Sequence, residues 1–257
     1  MTTETISVCG GEISYLRQGS GAPLLVLPRD NGHAPDTTFI DRLSEQFTVY
    51  YPWYPGFHGG RHEEWTWLQN VRDLAVVTGQ FSAALGLART SVLGLGFGGW
   101  VAAELATMNP ALIERLVLVA PMGIQPTKAF ICDQFVISCE AYARTAFANQ
   151  AAFEAIYTPE PGFEQLESWE SDREMASRLA WKPYMYNPTL PRLLGGVTAR
   201  ALIVWGDADR VVPAECGDKY TAALQNNTFM RVPNAGHAID LEQPGTLASA
   251  VATFLKS

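Results

Sequence analysis

Two side chains near the C-terminal end of the chain have the types and surroundings of an acid–base pair. Asp209 lies in the segment GDADRVVP (206–213), directly after a continuous apolar run, and His237 ends the segment NAGH (234–237). Histidine changes its charge near neutral pH, and it acts as a general base when a carboxylate fixes its tautomer and stabilises its imidazolium form. The residue types therefore allow an acid–base pair of His237 with Asp209, or with Asp207 as the fallback acid.

Each member of this pair also has a purely structural interpretation. Asp209 precedes a predicted helix that begins near Ala214, and aspartate is a preferred residue at the N-cap of a helix. His237, taken alone, is a polar residue in a loop. The catalytic interpretation gains weight from a third segment, which lies in the first half of the chain.

This third segment, SVLGLGFGGW (91–100), leads from a short apolar strand through a glycine cluster into a helix. Gly94, Gly96 and Gly99 fit the dinucleotide motif G-x-G-x-x-G. That motif needs an acidic residue about 20 positions further on to hold the ribose, and the strand 116–121 carries none. The alternative is the nucleophile elbow G-x-S-x-G, whose serine position holds Gly96 here. We favour the elbow, and we predict no cofactor.

The order of elbow, acid and histidine resembles that of the α/β-hydrolase superfamily along nearly the whole chain, and Glu242 and Pro244 complete a G-H-x-x-x-x-E-x-P pattern typical of its catalytic histidine. The resemblance implies an α/β fold, with a mostly parallel eight-strand sheet, helices on both faces and an inserted helical lid. It also implies catalytic roles for His237 and Asp209, with Gly96 at the nucleophile position and no side chain there.

The resemblance further implies an oxyanion hole formed by two backbone N–H groups. One belongs to Phe97, and the other belongs to Asp30 or Arg29, in a segment where the family usually carries His-Gly. A carboxylate on Asp30 would oppose a developing oxyanion. Two interpretations of Asp30 stay open: an acid or base that contacts the substrate, and a side chain turned outward in an Asx-type turn.

An aromatic loop at residues 52–60 resembles the P-G-F-G motif of the family. Its His58 and Trp53 are further candidate substrate contacts, although a packed or exposed loop histidine is the favoured interpretation of His58. The spacing of the histidines and nearby acids gives no metal-binding motif.

Alternating apolar and helical patterns predict one α/β core interrupted by an insertion. The predicted core comprises residues 1–121 and 196–257, and the predicted helical lid comprises residues 122–195. The predicted strands are 6–8, 13–15, 23–28, 47–51, 91–95, 113–121, 201–205 and 228–232. The predicted helices are 39–46, 65–87, one from Trp100 onward, 130–149, 163–179, 214–224 and 245–255.

The composition of the 257 residues limits the partners. A net charge of −8 argues against nucleic acid or an anionic membrane surface, and no apolar run approaches the 18 residues of a membrane span. The first residues resemble no signal peptide, and the four cysteines are too scattered for a disulfide framework, so we expect a cytoplasmic protein. The expected partner is a small, mostly apolar substrate, and the oligomeric state is left open.

The glycine at position 96 rules out an acyl-serine mechanism, because loss of the nucleophile costs a serine hydrolase on the order of 10⁶ in turnover. Three hypotheses follow. In the first, His237 and Asp209 act on water or on a carbonyl substrate, in hydrolysis or in a lyase, decarboxylase or cyclisation step, and Gly96 leaves open the volume of a hydroxymethyl group. In the second, the protein binds a small molecule without catalysis. In the third, glycine is an engineered replacement of serine. The intact acid and histidine motifs favour the first.

Overall fold

The computed structural model describes residues 2–58 and 62–257, and its strands form one eight-stranded sheet. The strand order is β1-β2-β4-β3-β5-β6-β7-β8, in which β1 and β2 run antiparallel to their neighbours and all strands from β3 onward are parallel to one another. The strands are β1 Thr2–Val8, β2 Gly11–Gln18, β3 Ala22–Leu27, β4 Phe47–Pro52, β5 Thr90–Leu95, β6 Ile113–Val119, β7 Arg200–Gly206 and β8 Asn227–Val232. All eight predicted strands are confirmed.

Helices cover both faces of the sheet, as predicted. One buried cluster joins the sheet to α2, α3 and α8, and a second joins the opposite face to α1 and α10. The helices are α1 Thr38–Ser44, α2 Val71–Ala84, α3 Phe97–Met108, α4 Cys139–Thr145, α5 Gln150–Tyr157, α6 Phe163–Ala180, α7 Leu190–Leu193, α8 Ala214–Ala223, α9 Ile239–Glu242 and α10 Pro244–Lys256, with 3₁₀ turns at His62–Trp65 and Leu194–Gly196. No helix within the described residues is long and apolar enough to cross a membrane.

Two predicted helices are shorter than expected because polar side chains within the predicted ranges act as N-caps, so that helices begin there. The helix predicted over 65–87 begins only at Val71, where the Asn70 side chain accepts a hydrogen bond from the Asp73 N–H. The helix predicted over 130–149 is wrong over most of its length. Ser138 caps α4, and Asn149, predicted as the end of that helix, instead caps α5.

The segment between β6 and β7, where the lid is predicted, contains α4, α5, α6 and α7. It is joined to the loop around His237: the Ala238 N–H donates to the Ala146 carbonyl at 2.9 Å, and Glu242 accepts hydrogen bonds from the N–H groups of Asn149 and Gly236. The helices therefore pack beside the acid–histidine segment. Their role as a lid over residues 122–195 stays a prediction.

Candidate active site

The glycine turn joins β5 to α3 through a backbone conformation that side chains rarely adopt. Gly96 has φ 52° and ψ −110°, and it lies directly before the first residue of α3. The strand and the helix also approach closely here, because a Cβ on Gly94 would lie 2.2 Å from the Gly98 carbonyl oxygen. The turn thus has the strand–turn–helix form of an elbow, with no side chain at its apex.

Asp209 and His237 come together as predicted. Asp209 Oδ2 lies 2.9 Å from His237 Nδ1, and both side chains are almost fully buried. The other oxygen, Oδ1, accepts hydrogen bonds from the N–H groups of Val211 and Val212. Every oxygen of this carboxylate is therefore occupied, and its orientation towards the imidazole is fixed by the backbone.

Two alternatives are not supported, namely that Asp209 only caps a helix and that Asp207 is the acid. Asp209 does not cap α8, because the N-cap position of that helix is Pro213 and no side chain caps it. Asp207 is exposed, and its Oδ1 accepts a hydrogen bond from the Asn234 N–H rather than from the imidazole. Asp209 is thus the partner of His237.

The other imidazole nitrogen faces the elbow. His237 Nε2 is buried and has no hydrogen-bond partner among the described residues. A Cβ built on Gly96 would lie 2.7 Å from this nitrogen and 3.2 Å from Arg29 Cγ. The expectation that Gly96 leaves a hydroxymethyl volume open is therefore wrong, because the imidazole edge and the Arg29 stem already occupy part of that space.

Arg29 contributes a buried ion pair beside this turn. Its guanidinium donates to Asp240 Oδ1 of α9, and each residue is 5% exposed. Burial, the largest single influence, acts to lower the pKa of Arg29, but the charge of Asp240, the two phenols Tyr157 and Tyr51 and the hydrogen bond to Asp240 together outweigh it and raise the pKa. Arg29 was predicted only as a backbone N–H donor. Its side chain instead links the loop after β3 to the segment that follows His237.

The Asp30 carboxylate points into the protein. It is 2% exposed, and its Oδ2 accepts hydrogen bonds from Tyr142 Oη at 2.7 Å and from Gln134 Nε2 at 3.2 Å. The outward-facing Asx alternative is therefore wrong. Burial, helped by the charge of Asp30, raises the pKa of Tyr142 well above its usual value, so the phenol stays a donor.

The predicted oxyanion donor Phe97 is the first residue of α3. The N–H groups of the first helical turn have no acceptor within their helix, and the helix dipole favours negative charge at that end. A donor role for Phe97, and for the N–H groups of Arg29 and Asp30, stays a prediction.

Trp53 and His58 lie in a different environment from the acid and the histidine. Both line a surface cavity of about 510 Å³, whose lining residues do not include Gly96, Asp209 or His237. His58 Nδ1 is 2.8 Å from Ser168 Oγ of α6. The predicted aromatic loop also includes residues 59 and 60, which lie outside the described residues. Substrate contacts by Trp53 and His58 stay a prediction.

Comparison with known proteins identifies the family. A sequence profile described as the alpha/beta hydrolase family matches residues 25–250. The chain belongs to the alpha/beta hydrolase family. Two solved structures share the fold. The first is a bacterial membrane phospholipase A, which has a TM-score of 0.83 and 22% identity, with 99% of this chain and 86% of that chain covered. The second is the A129V mutant of the meta-cleavage product hydrolase CumD, which has a TM-score of 0.77 and 18% identity, with 98% of this chain and 97% of that chain covered.

A curated relative of this alpha/beta hydrolase is a 2-hydroxy-6-oxononadienedioate/2-hydroxy-6-oxononatrienedioate hydrolase of Dechloromonas aromatica (strain RCB). It is 26% identical over 186 residues, which cover 67% of this chain. The chain spans 64% of the length of that relative. This chain therefore shares its family with proteins that are named as hydrolases.

Sequence reasoning missed several polar residues of this hydrolase. Asp240, Tyr142 and Gln134 pair with the loop after β3 from positions more than a hundred residues away, and no local pattern signals that contact. Asp172 of α6 is fully buried, and its Oδ1 accepts the His58 N–H at 2.5 Å, whereas its Oδ2 has no partner among the described residues. Burial raises the pKa of Asp172 to about 7.

Proposed function

We propose that this hydrolase acts on a small carbonyl compound, with His237 as general base, Asp209 as the acid that orients it, and no covalent serine intermediate. One observation carries the proposal. Asp209 holds His237 Nδ1 at 2.9 Å, while Nε2 is buried, has no hydrogen-bond partner in the described part of the chain and is directed at the glycine apex of the elbow. A base with one nitrogen fixed and the other free has the arrangement that general-base catalysis requires.

The proton inventory of the proposed step is simple. Nδ1–H donates to Asp209, so Nε2 carries the lone pair and takes a proton from water as the water oxygen attacks the carbonyl carbon. Asp209 then stabilises the imidazolium, and the carbonyl oxygen becomes an oxyanion near the Phe97 N–H. When the tetrahedral intermediate collapses, the leaving group takes the proton back from Nε2. A lyase, decarboxylase or cyclisation step would use the same base on the substrate itself.

The relatives support the carbonyl class of substrate. The Dechloromonas protein is named as a hydrolase of 2-hydroxy-6-oxononadienedioate, which is an oxo compound. The closeness of His237 Nε2 and the Arg29 stem to the Gly96 apex argues against a serine that was simply exchanged for glycine, because a serine Cβ would force one of them to move. We further propose that α4, α5 and α6, within residues 122–195, act as a lid, since Asp30 is bound by Tyr142 and Gln134 of that segment.

The proposal is tested by replacing the base and its acid. The variants His237→Ala and Asp209→Asn are assayed against p-nitrophenyl acetate and 2-hydroxy-6-oxononadienedioate, with Asp207→Asn as the matched control. Because a positioned general base contributes about 10²–10⁴ in rate, we expect both variants to lose turnover of the oxo compound by factors in that range. The control keeps its activity, since Asp207 is exposed and bonded to Asn234.

Two results would count against this function. Full activity of His237→Ala would exclude the imidazole as the base. A wild-type protein that binds the oxo compound tightly without turning it over would favour the second hypothesis, a non-catalytic binder.

A further inference from the structure

Three arginines lie together at the edge of the sheet where its parallel strands begin. Arg89 directly precedes β5, Arg115 is near the start of β6, and Arg200 is the first residue of β7, and these three strands are neighbours in the sheet. The proposed acid, Asp209, follows the opposite end of β7, which is Gly206. With a rise of about 3.3 Å per residue, β7 separates the two edges of the sheet by roughly 20 Å. The arginines are therefore remote from the candidate active site.

Two of these arginines leave the sheet on the same side. Arg115 and Arg200 are paired in the parallel register of β6 and β7, and neighbouring strands lie only about 4.8 Å apart. Val117 and Leu202, two residues further along each strand, are paired as well, and both belong to the buried cluster under α1 and α10. Since side chains alternate along a strand, Arg115 and Arg200 face that side too. Like charges directly opposite one another destabilise a sheet.

The chain does little to compensate these charges. The side chains of Arg89 and Arg115 form no hydrogen bond or ion pair with any residue that the structure describes. Arg200 Nη1 donates to the main-chain oxygen and the hydroxyl of Ser257 in long contacts of 3.4 and 3.3 Å, and its guanidinium carbon lies 5.6 Å from the centre of the Phe254 ring of α10. Arg89 and Arg115 thus keep all their N–H donors for another partner.

The three arginines line a single cavity of about 350 Å³, which we call the arginine cavity. This volume falls in the range of small-molecule sites, roughly 300–1,000 Å³. Glu114 is the only acid among the described residues that line the cavity, and Thr198 adds an exposed hydroxyl group. Positive charges therefore outnumber negative ones here, although the whole chain has a net charge of −8. The arginine cavity favours an anion.

A phosphate group matches this set of donors better than a carboxylate does. A guanidinium presents its N–H groups as a planar fork, which binds a pair of oxygen atoms on either kind of anion. A phosphate monoester carries a charge of about −1.5 to −2 near neutral pH and has three acceptor oxygens. It can therefore accept hydrogen bonds from guanidinium groups that approach from three strands. A carboxylate has one charge and two oxygens, which a single fork already occupies.

We propose that the arginine cavity binds the phosphate group of a small, soluble molecule. The bound anion stabilises the folded chain, because it offsets the repulsion between Arg115 and Arg200. The site is separate from the His237–Asp209 pair and takes no part in the proposed reaction. Binding is therefore expected in the wild type and in His237→Ala alike, so the outcome of this proposal does not depend on the proposed function.

The test is calorimetric titration of the full chain with inorganic phosphate, with sodium acetate as the carboxylate probe at the same ionic strength. Phosphate should bind at a single site, and acetate should bind at least about tenfold more weakly. Vesicles of phosphatidylcholine and phosphatidic acid present the same chemistry on a lipid surface, and they should not retain the protein. Absence of phosphate binding, equal affinity for acetate, or binding to the vesicles alone would overturn the proposal.

The variant Arg115→Gln locates the site. It should bind phosphate at least about tenfold more weakly, as expected for lost hydrogen bonds to a charged group. Without phosphate it should melt at or above the wild-type temperature, because the repulsion from Arg200 is removed. The matched control, Arg178→Gln, removes the same charge from an exposed position of α6 outside the cavity lining, and it should keep the wild-type Kd. Unchanged affinity in Arg115→Gln, or an equal loss in both variants, would contradict the proposal.

Discussion

The two halves of the candidate site are held in place in different ways. In the acid–histidine half, Asp209 is fixed by the N–H groups of Val211 and Val212, its near neighbours in sequence. In the loop half, Arg29 and Asp30 depend on side chains that are 211 and 112 residues away, Asp240 and Tyr142. The first half is a local motif, whereas the second exists only when distant segments pack together.

This difference indicates where the proposed chemistry departs from that of a serine enzyme. The half that contains the proposed base has the motif order that the sequence shares with the family. The half that would present a nucleophile and an oxyanion hole instead contains Gly96, a buried ion pair and a buried carboxylate. The predictions below test whether the loop half depends on its charges as strongly as this contrast suggests.

The largest effect is expected from breaking the Arg29–Asp240 pair. Removing one partner of a buried ion pair leaves an uncompensated charge and costs about 3–5 kcal/mol in the free energy of unfolding. Arg29→Gln and Asp240→Asn should each be destabilised by that amount in urea unfolding, and the double variant should lose less than the sum of the two. The control is Arg17→Gln: the Arg17 side chain is exposed and its partner Glu4 lies 3.8 Å away, so little change is expected. Additive losses in the double variant would mean that the two charges are not coupled.

A smaller, pH-dependent effect is expected from Asp172, which packs on the same loop half: a Cβ on Gly32 would lie 2.7 Å from its Oδ2. Burial, the largest cause, raises its pKa from 3.8 to about 7, and the charge of Asp30 acts in the same direction. The folded protein therefore keeps a proton that the unfolded chain releases. The stability that this bound proton contributes is fully present below about pH 4 and is lost as the pH rises to about 7. The free energy of unfolding falls by at most about 4 kcal/mol over this range.

The measurement is the free energy of unfolding of Asp172→Asn and of wild type between pH 4 and pH 8. As the pH rises, the free energy of unfolding of Asp172→Asn should increase relative to that of wild type, because asparagine has no proton to release. Taking the difference removes the contribution of other groups, such as His33, whose pKa burial lowers to about 3. A difference that stays constant with pH would show that Asp172 titrates normally.

The same contrast explains what could be predicted from the sequence. The eight strands, the Asp209–His237 pair and its place beside the Gly96 turn follow from short apolar runs and from the order of the family motifs, so they were predictable. The inward turn of Asp30, the Arg29–Asp240 pair and the crowding of the Gly96 apex by the imidazole arise only from the packing of distant segments. The predicted helix over 130–149 was wrong for another reason: Ser138 and Asn149 compete for backbone N–H groups and start new helices there.

The central claim, a base that acts at an elbow without a serine, is tested most directly by Gly96→Ser with Gly96→Ala beside it. Either Cβ would lie 2.7 Å from His237 Nε2, on a backbone with φ 52° that strains any side chain. Both variants should therefore lose turnover of 2-hydroxy-6-oxononadienedioate to a similar extent. Gly96→Ser should also hydrolyse p-nitrophenyl acetate slowly, with no burst and no acyl adduct by mass spectrometry. Undiminished turnover in Gly96→Ser, or a burst with an acylated Ser at position 96, would contradict the account.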